Sequence, residues 1–244
     1  MEGGEREDSG FNEGGMKMAI IEVSDLKKTY HMGDVDVNAL NGVSFSVEMG
    51  EFVGVMGYSG SGKSTLLHMV GLLDPPSAGS IHIDHMDVLS LSDAEKTIFR
   101  LNRFGFVFQD YALVQELTAL ENVILPSVAM GIPMEMSIGS GSEILAEVGL
   151  DQRMEHLPSA LSGGEQQRVA VARAIMNQPN ILFADEPCAN LDTLNSRHVL
   201  ELFRKINKEK KQTVMMVSHE EWHQEFFDRL IRLKDGVIEE DRML

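Results

Sequence analysis

Apolar residues in this chain gather into short unbroken runs set between amphipathic stretches, the pattern of buried parallel strands alternating with helices. Glu51-Phe52-Val53-Gly54-Val55-Met56 reads as one such strand. Phe104 to Phe108, Ile181 to Ala184 and Thr213 to Val217 read as others. Lys63 to Leu73 carries Leu66, Leu67, Val70 and Leu73 on one side and predicts a helix. Ser92 to Leu101 predicts a second, opened by a capping box of Ser92 and Glu95. Order begins at Ala19 to Val23, and Leu40 to Glu51 with its neighbours predicts short strands and glycine turns, an antiparallel layer near the N-terminus. Ser80 to Asp84 adds a short strand.

From Asp110 to Ala160 the pattern is helical and less regular, with a capping box at Thr118 and Glu121. Within it, Gly131 to Ser142 is rich in Gly, Ser and Met and carries the weakest pattern. A helix follows from Leu161 to about Asn177, stopped by Pro179. Arg229 to Leu233 and Val237 to Glu239 flank an Asp235-Gly236 turn and predict a terminal hairpin. The fold class is therefore α/β: a parallel-sheet core, an N-terminal antiparallel β-subdomain and a helical subdomain over about 110–160.

With 244 residues, the chain can bury the core of one large α/β domain. Its net charge of −17 argues against a nucleic-acid role, which needs clustered Lys and Arg. Part of that charge lies in residues 1–18, an acidic, Gly-rich tail expected to be disordered, which leaves 19–244 as the folded domain. The tail has no apolar core and is unlike a signal peptide, and Met16 or Met18 is an alternative start. Cys188 is the single cysteine, which suits a reducing compartment. No run approaches the roughly eighteen apolar residues of a membrane span.

The chemistry is concentrated after the first strand. Gly57-Tyr58-Ser59-Gly60-Ser61-Gly62-Lys63-Ser64 has the full G-x-x-x-x-G-K-[ST] spacing of a phosphate-binding P-loop. Such a loop offers backbone N–H groups to a triphosphate, and the helix N-terminus behind it favours anions. Lys63 supplies charge for the β- and γ-phosphates, Ser64 a hydroxyl for Mg²⁺, and Thr65 reaches the α-phosphate. The core is thus of the P-loop NTPase, RecA-like kind, with a nucleoside triphosphate and Mg²⁺ as its ligands. Asp185, at the end of the strand Ile181 to Ala184, is placed to hold Mg²⁺, and Glu186 to polarise an attacking water. Ser162-Gly163-Gly164-Glu165 opens a helix with a capping box, yet places two glycines in its first turn, where they cost stability. They make sense if a second phosphate approaches that helix end.

The stretch Leu161-Ser162-Gly163-Gly164-Glu165-Gln166-Gln167-Arg168 resembles the signature motif of ABC-type ATPases, and the likeness extends from Ile20 to Glu240. It implies that Gln109 is the Q-loop glutamine contacting Mg²⁺ and water, that Asn190-Leu191-Asp192 is the D-loop, that His219 is the switch histidine, and that Tyr30 stacks on adenine. It also implies a head-to-tail homodimer. Each ATP would meet Lys63, Ser64, Gln109, Asp185, Glu186 and His219 of one copy and Ser162, Gly163, Gly164 and Glu165 of the other.

The chain is similar to the lipoprotein-release, macrolide-export and cell-division group, through Tyr30 to Leu40, Gly105 to Gln109 and Leu117 to Val123. That likeness implies a membrane-embedded permease as partner and a cytoplasmic location on the inner face of the membrane. The sequence departs from the group at Cys188-Ala189 and at Gly139-Ser140-Gly141-Ser142, where a charged helical stretch is usual. A soluble ABC ATPase of the iron–sulfur assembly kind and a nucleotide-dependent regulator remain as alternatives. The histidines His31, His68, His82, His85 and His198 have no ligand-like spacing and are read as ordinary packing or surface residues.

Overall fold

The apolar run before the P-loop forms β3 (Phe52–Met56), and all five of its residues are buried. Its side chains alternate between two separate cores, which is why the run shows no polar face. Phe52 and Met56 belong to one core, Val53 and Val55 to the other. A computed structural model describes residues 18–33 and 35–244. The acidic tail expected over residues 1–18 lies, except for Met18, outside the described residues.

Ahead of β3, β1 (Ala19–Met32) and β2 (Val35–Glu48) pair as one long antiparallel hairpin. The short strands expected there are two strands of fourteen residues, bent by several register shifts. Residues 30–33 and 35–40 lie at the outer end of that hairpin, with Tyr30 opposite Val37 and His31 opposite Asp36. After β3 come α1 (Lys63–Val70), β4 (Ala78–Ile83), β5 (Met86–Asp87) and α2 (Asp93–Arg103). The strands β2-β1-β4-β5 make a four-stranded sheet. Helix α1 stops earlier than its apolar pattern predicts. Gly71 caps it and Leu72 takes a positive φ of 57°, which turns Leu73 outward to 43% exposure.

The remaining elements are β6 (Phe104–Val107), α3 (Ala119–Ala129), α4 (Met134–Glu147), α5 (Gly163–Ile175), β7 (Ile181–Asp185), α6 (Thr193–Lys210), β8 (Thr213–Ser218), β9 (Arg229–Lys234) and β10 (Val237–Met243). The large sheet runs β10-β9-β3-β8-β7-β6. It is parallel throughout except for the final hairpin of β9 and β10. Strand β3 sits between β8 and β9, so the P-loop leaves the sheet beside the ends of β8 and β7.

The Gly-, Ser- and Met-rich stretch 131–142, where the expected helical pattern is weakest, is largely helical: α4 runs through it. Its small residues are what let α4 approach α3. A Cβ on Gly141 would stand 2.5 Å from Ile124 Cγ2. Ser127 and Ser137 share a buried hydroxyl–hydroxyl bond of 2.8 Å between the same helices. Helix propensity is poor here, and close packing outweighs it.

Candidate active site

The P-loop is shaped by backbone crowding. Gly57 has φ 148° and Gly62 φ 101°, values that favour glycine. A Cβ on Gly57 would meet the Leu233 carbonyl at 2.2 Å, and one on Gly62 the Ala39 carbonyl at 2.5 Å. Tyr58, Ser59 and Gly60 are exposed at the loop's outer turn, and Gly60 also has a positive φ. Ser61 is buried and its Oγ has no partner. Lys63 is 5% exposed; its Nζ donates to the Tyr58 carbonyl at 3.0 Å and lies 3.9 Å from Glu186. Thr65 is half-buried on the first turn of α1.

Strand β7 delivers the two acids. Ser64 Oγ donates to Asp185 Oδ1 at 2.8 Å, and His68 Nε2 lies 3.1 Å from Asp185 Oδ2. His68, read from sequence as an ordinary residue, thus belongs to this cluster; it reaches Asp185 because it lies one turn beyond Ser64 on α1. Glu186 leaves the strand with φ 45°, unusual for a non-glycine residue and a local strain at the strand end. His219, just after β8, places Nδ1 3.1 Å from Glu186 Oε2 and Nε2 3.4 Å from Glu220.

Gln109 follows β6, whose Val107 pairs with Ala184 of β7. It therefore emerges at the same strand edge as Asp185. Its carbonyl accepts from Asn190 Nδ2 at 2.9 Å, joining the predicted Q-loop to the predicted D-loop. The next turn is strained, with positive φ at Tyr111 and Ala112, and Arg173 of α5 holds both of their carbonyls.

The signature segment is built around caps. Ser162 Oγ accepts the Glu165 N–H, and Glu165 Oε2 accepts the Ser162 N–H at 2.8 Å. Arg153 Nε donates to Glu165 Oε1 at 3.0 Å. The Ser162 N–H, above all, holds the Glu165 carboxyl below its ordinary value. Asp192 caps α6 by accepting the Asn195 N–H at 2.9 Å, and this bond keeps its carboxyl low as well. The two glycines have reasons within the chain itself. A Cβ on Gly163 would meet the Tyr111 hydroxyl at 2.9 Å, and one on Gly164 would meet Asn195 Oδ1 at 2.7 Å. Leu191 also lies against Gly163. The signature, D-loop and Q-loop segments thus touch one another, while Lys63, Ser64, Asp185, Glu186 and His219 form a separate cluster.

Tyr30 stands between Asp74 and Thr65 of the first turn of α1. Its hydroxyl donates to Asp74 Oδ2 at 2.8 Å, and Lys28 Nζ reaches Asp74 Oδ1 at 2.7 Å. The same ammonium lies 4.8 Å from the Tyr30 ring centroid. Partial burial, then the Asp74 bond, raises the Tyr30 pKa. The ring itself is 36% exposed.

The donor set is suited to Mg²⁺. A hydroxyl and a carboxylate oxygen already converge at Ser64 and Asp185, and hard oxygen donors are what this ion takes. Among the described residues no three His, Cys, Asp or Glu gather as a metal cage. That fits an ion held by one or two protein oxygens together with phosphate oxygens.

A P-loop whose lysine and serine face a strand-end acid pair, on a parallel sheet with an antiparallel layer and a helical arm, defines a nucleotide-hydrolysing cassette. The family model described as ABC transporter matches residues 40–189, and the chain belongs to that family. It is 43% identical over 224 residues to the macrolide export ATP-binding/permease protein MacB of Rhodopirellula baltica, covering 91% of this chain and 33% of that one. It therefore spans about a third of that relative's length. It is 43% identical over 223 residues to the lipoprotein-releasing system ATP-binding protein LolD of Geobacter metallireducens, covering 91% of this chain and 99% of that one. The dimeric post-hydrolysis state of the ATP-binding cassette MJ0796, bound to ADP and Pi, superposes with a TM-score of 0.86 at 40% identity, covering 92% of this chain and 98% of that one. The fold expected from the sequence is thus the fold found, and ATP is the nucleotide it binds. Among the described residues no helix is long and apolar enough to cross a membrane.

Proposed function

We propose that this chain is the ATP-hydrolysing subunit of a membrane transport complex, working as a head-to-tail dimer. The observation that carries the reading is the convergence of Lys63, Ser64, Asp185, Glu186 and His219 at one edge of the sheet. The signature segment is occupied with Tyr111, Arg153, Leu191 and Asn195 instead. A second copy of the chain is the natural source of the missing half, as in the dimeric MJ0796 cassette.

In this reading the P-loop N–H groups and Lys63 hold the β- and γ-phosphates, and Tyr30 supports the adenine. Lys63 exchanges its bond to the Tyr58 carbonyl for phosphate oxygens. Ser64, Asp185 and Gln109 would hold Mg²⁺, which when bound neutralises charge on the phosphates. Glu186 orients and polarises the attacking water, and His219 holds Glu186. Water adds to the γ-phosphorus as the bond to the β-phosphate oxygen breaks, giving ADP and phosphate. Ser162, Gly163, Gly164 and Glu165 of the second copy present their helix N-terminus to the γ-phosphate, and Asn190, Leu191 and Asp192 line the seam.

The partner we propose is a membrane-embedded permease of the export, lipoprotein-release or cell-division kind, which would hold this subunit peripherally on the inner face of the membrane. The names of MacB and LolD support this, as does an open, mainly apolar groove of about 530 Å³ lined by Leu101, Phe106, Phe108, Pro126 and Ala129. Phe108 immediately precedes Gln109, so a segment seated in that groove would press on the nucleotide site.

The test is Glu186→Gln. It should lower phosphate release about 10²- to 10⁴-fold and leave an ATP-stabilised dimer by light scattering. Monomer alone at saturating ATP would overturn the dimeric mechanism. Capture of a soluble scaffold in place of a membrane protein would overturn the transport assignment.

A further inference from the structure

A second histidine lies just beyond His219 and takes no part in the catalytic cluster. His223 is 4% exposed, within the 3₁₀ segment Glu221–Phe226. Its Nδ1 lies 2.6 Å from Ser218 Oγ. Ser218 is the last residue of β8, buried, and paired with Met56 at the end of the P-loop strand. The same hydroxyl accepts the Glu220 N–H at 3.2 Å. One hydroxyl therefore bonds both the residue after His219 and the ring of His223.

The ring is fixed from other sides too. Trp222 packs edge-on against it, with centroids 4.4 Å apart at 84°. Arg197 of α6 lies over Trp222 at 5.4 Å and over Phe226 at 5.8 Å, which ties the segment to the helix that Asp192 caps. Burial, with a smaller contribution from His219, pushes the His223 pKa down to about 4, so the ring is neutral at ordinary pH. A neutral ring can accept the Ser218 proton at Nδ1 and carry its own on Nε2. That Nε2 is buried without a partner, and the residue lines a cavity of about 110 Å³ with Glu186, Cys188, Ser196 and His219. A polar cavity of this size accommodates water.

We propose that His223 is a positioning residue for ATP hydrolysis: through the Ser218 hydroxyl it fixes the Ser218–Glu220 backbone and so holds His219 against Glu186. Its uncharged ring does this beside two carboxylates without neutralising either. The inference rests on the hydrolytic reading above. Unlike His219, His223 touches neither Glu186 nor the P-loop in the bonds described, so its effect passes through the loop.

The experiment measures kcat and KM for ATP, per nucleotide-binding site, in His223→Leu, His223→Asn, Ser218→Ala and the Ser218→Ala/His223→Leu pair. His223→Leu should lower kcat about tenfold with KM within about twofold, and Ser218→Ala should do the same. His223→Asn, which keeps an acceptor for the Ser218 hydroxyl, should recover most of the loss. The double variant should be no worse than either single one, because both remove the same bond. Full kcat in both single variants, losses that multiply in the double, or a raised KM at unchanged kcat would each overturn the proposal. If His223→Leu fails to fold, Ser218→Ala against His223→Asn makes the same comparison. A wild-type chain without ATP turnover would instead sink the hydrolytic reading itself.

Discussion

The Ser64 hydroxyl and the Asp185 carboxylate, brought together from α1 and β7, are hydrogen-bonded at 2.8 Å, with His68 on the carboxylate's other oxygen at 3.1 Å. Both oxygens of Asp185 are thus oriented by the chain itself. Ser64→Ala removes one of the three groups that would hold Mg²⁺ and also frees Asp185 to turn. We expect the Mg²⁺ concentration for half-maximal phosphate release to rise about 10- to 100-fold. Nucleotide affinity measured with a chelator present should stay within about twofold. An unchanged Mg²⁺ dependence would remove Ser64 from the metal site.

Gly164 is where the signature segment packs against the helix that follows the D-loop. A Cβ there would stand 2.7 Å from Asn195 Oδ1 and 3.0 Å from its Cγ. Asn195 cannot simply turn away, since its own N–H and amide bond Asp192 at 2.9 and 2.7 Å. Gly164→Ala should therefore destabilise the chain by about 1–3 kcal/mol and lower turnover. Asn195→Ala in the same chain should return the steric part, so the two changes together cost less than their sum. Strict additivity in urea unfolding would show that the glycine answers to something else.

The features legible in the sequence are those set by neighbours along the chain. Ser92 with Glu95, Thr118 with Glu121 and Ser162 with Glu165 all form reciprocal caps, because each needs only three residues of spacing. The strand runs are legible because burial on both faces leaves no polar positions. What escapes is fixed by distant partners. The pattern of helix α4 is weakest at Gly139 and Gly141, whose propensity is poor, and Ile124 and Leu120 of α3 across the gap explain Gly141. His68 looks ordinary until Asp185 arrives from β7. The glycines of the signature make sense from sequence only as room for phosphate, whereas Tyr111 and Asn195 already crowd them inside one chain.

Asn122 is fully buried on α3 and bonds the loop that leads from Gln109 into the helical arm. Its Oδ1 accepts the Val114 N–H at 2.8 Å, and its Nδ2 faces the carbonyls of Val114, Leu117 and Thr118, each at 3.0 Å. Asn122→Leu fills the same space and strands those backbone groups. We expect a loss of about 2 kcal/mol or more in unfolding free energy, since a buried group left unpaired costs its full desolvation. A loss below half of that would mean that water reaches the loop.

Asp228 joins the start of the P-loop strand to α6. Its Oδ2 accepts the Phe52 N–H at 3.1 Å, and its Oδ1 accepts from Arg204 at 2.8 Å and from Lys208 at 3.2 Å. Burial alone would raise its pKa, but the Arg204, Phe52 and Lys208 bonds outweigh it and hold the carboxyl below the ordinary 3.8. The folded chain therefore takes up this proton less readily than the unfolded chain does. The contribution to stability is complete above that ordinary value and fades as pH falls through the lower folded one. Asp228→Asn should cost about 2 kcal/mol at neutral pH, the loss expected when charge-assisted bonds are weakened. The gap between variant and wild type should narrow steadily below pH 3.8, as the wild-type carboxyl is protonated too. Urea midpoints of both proteins across that range make the comparison, and a gap that stays constant into acid would show that the charge on Asp228 carries none of the stability.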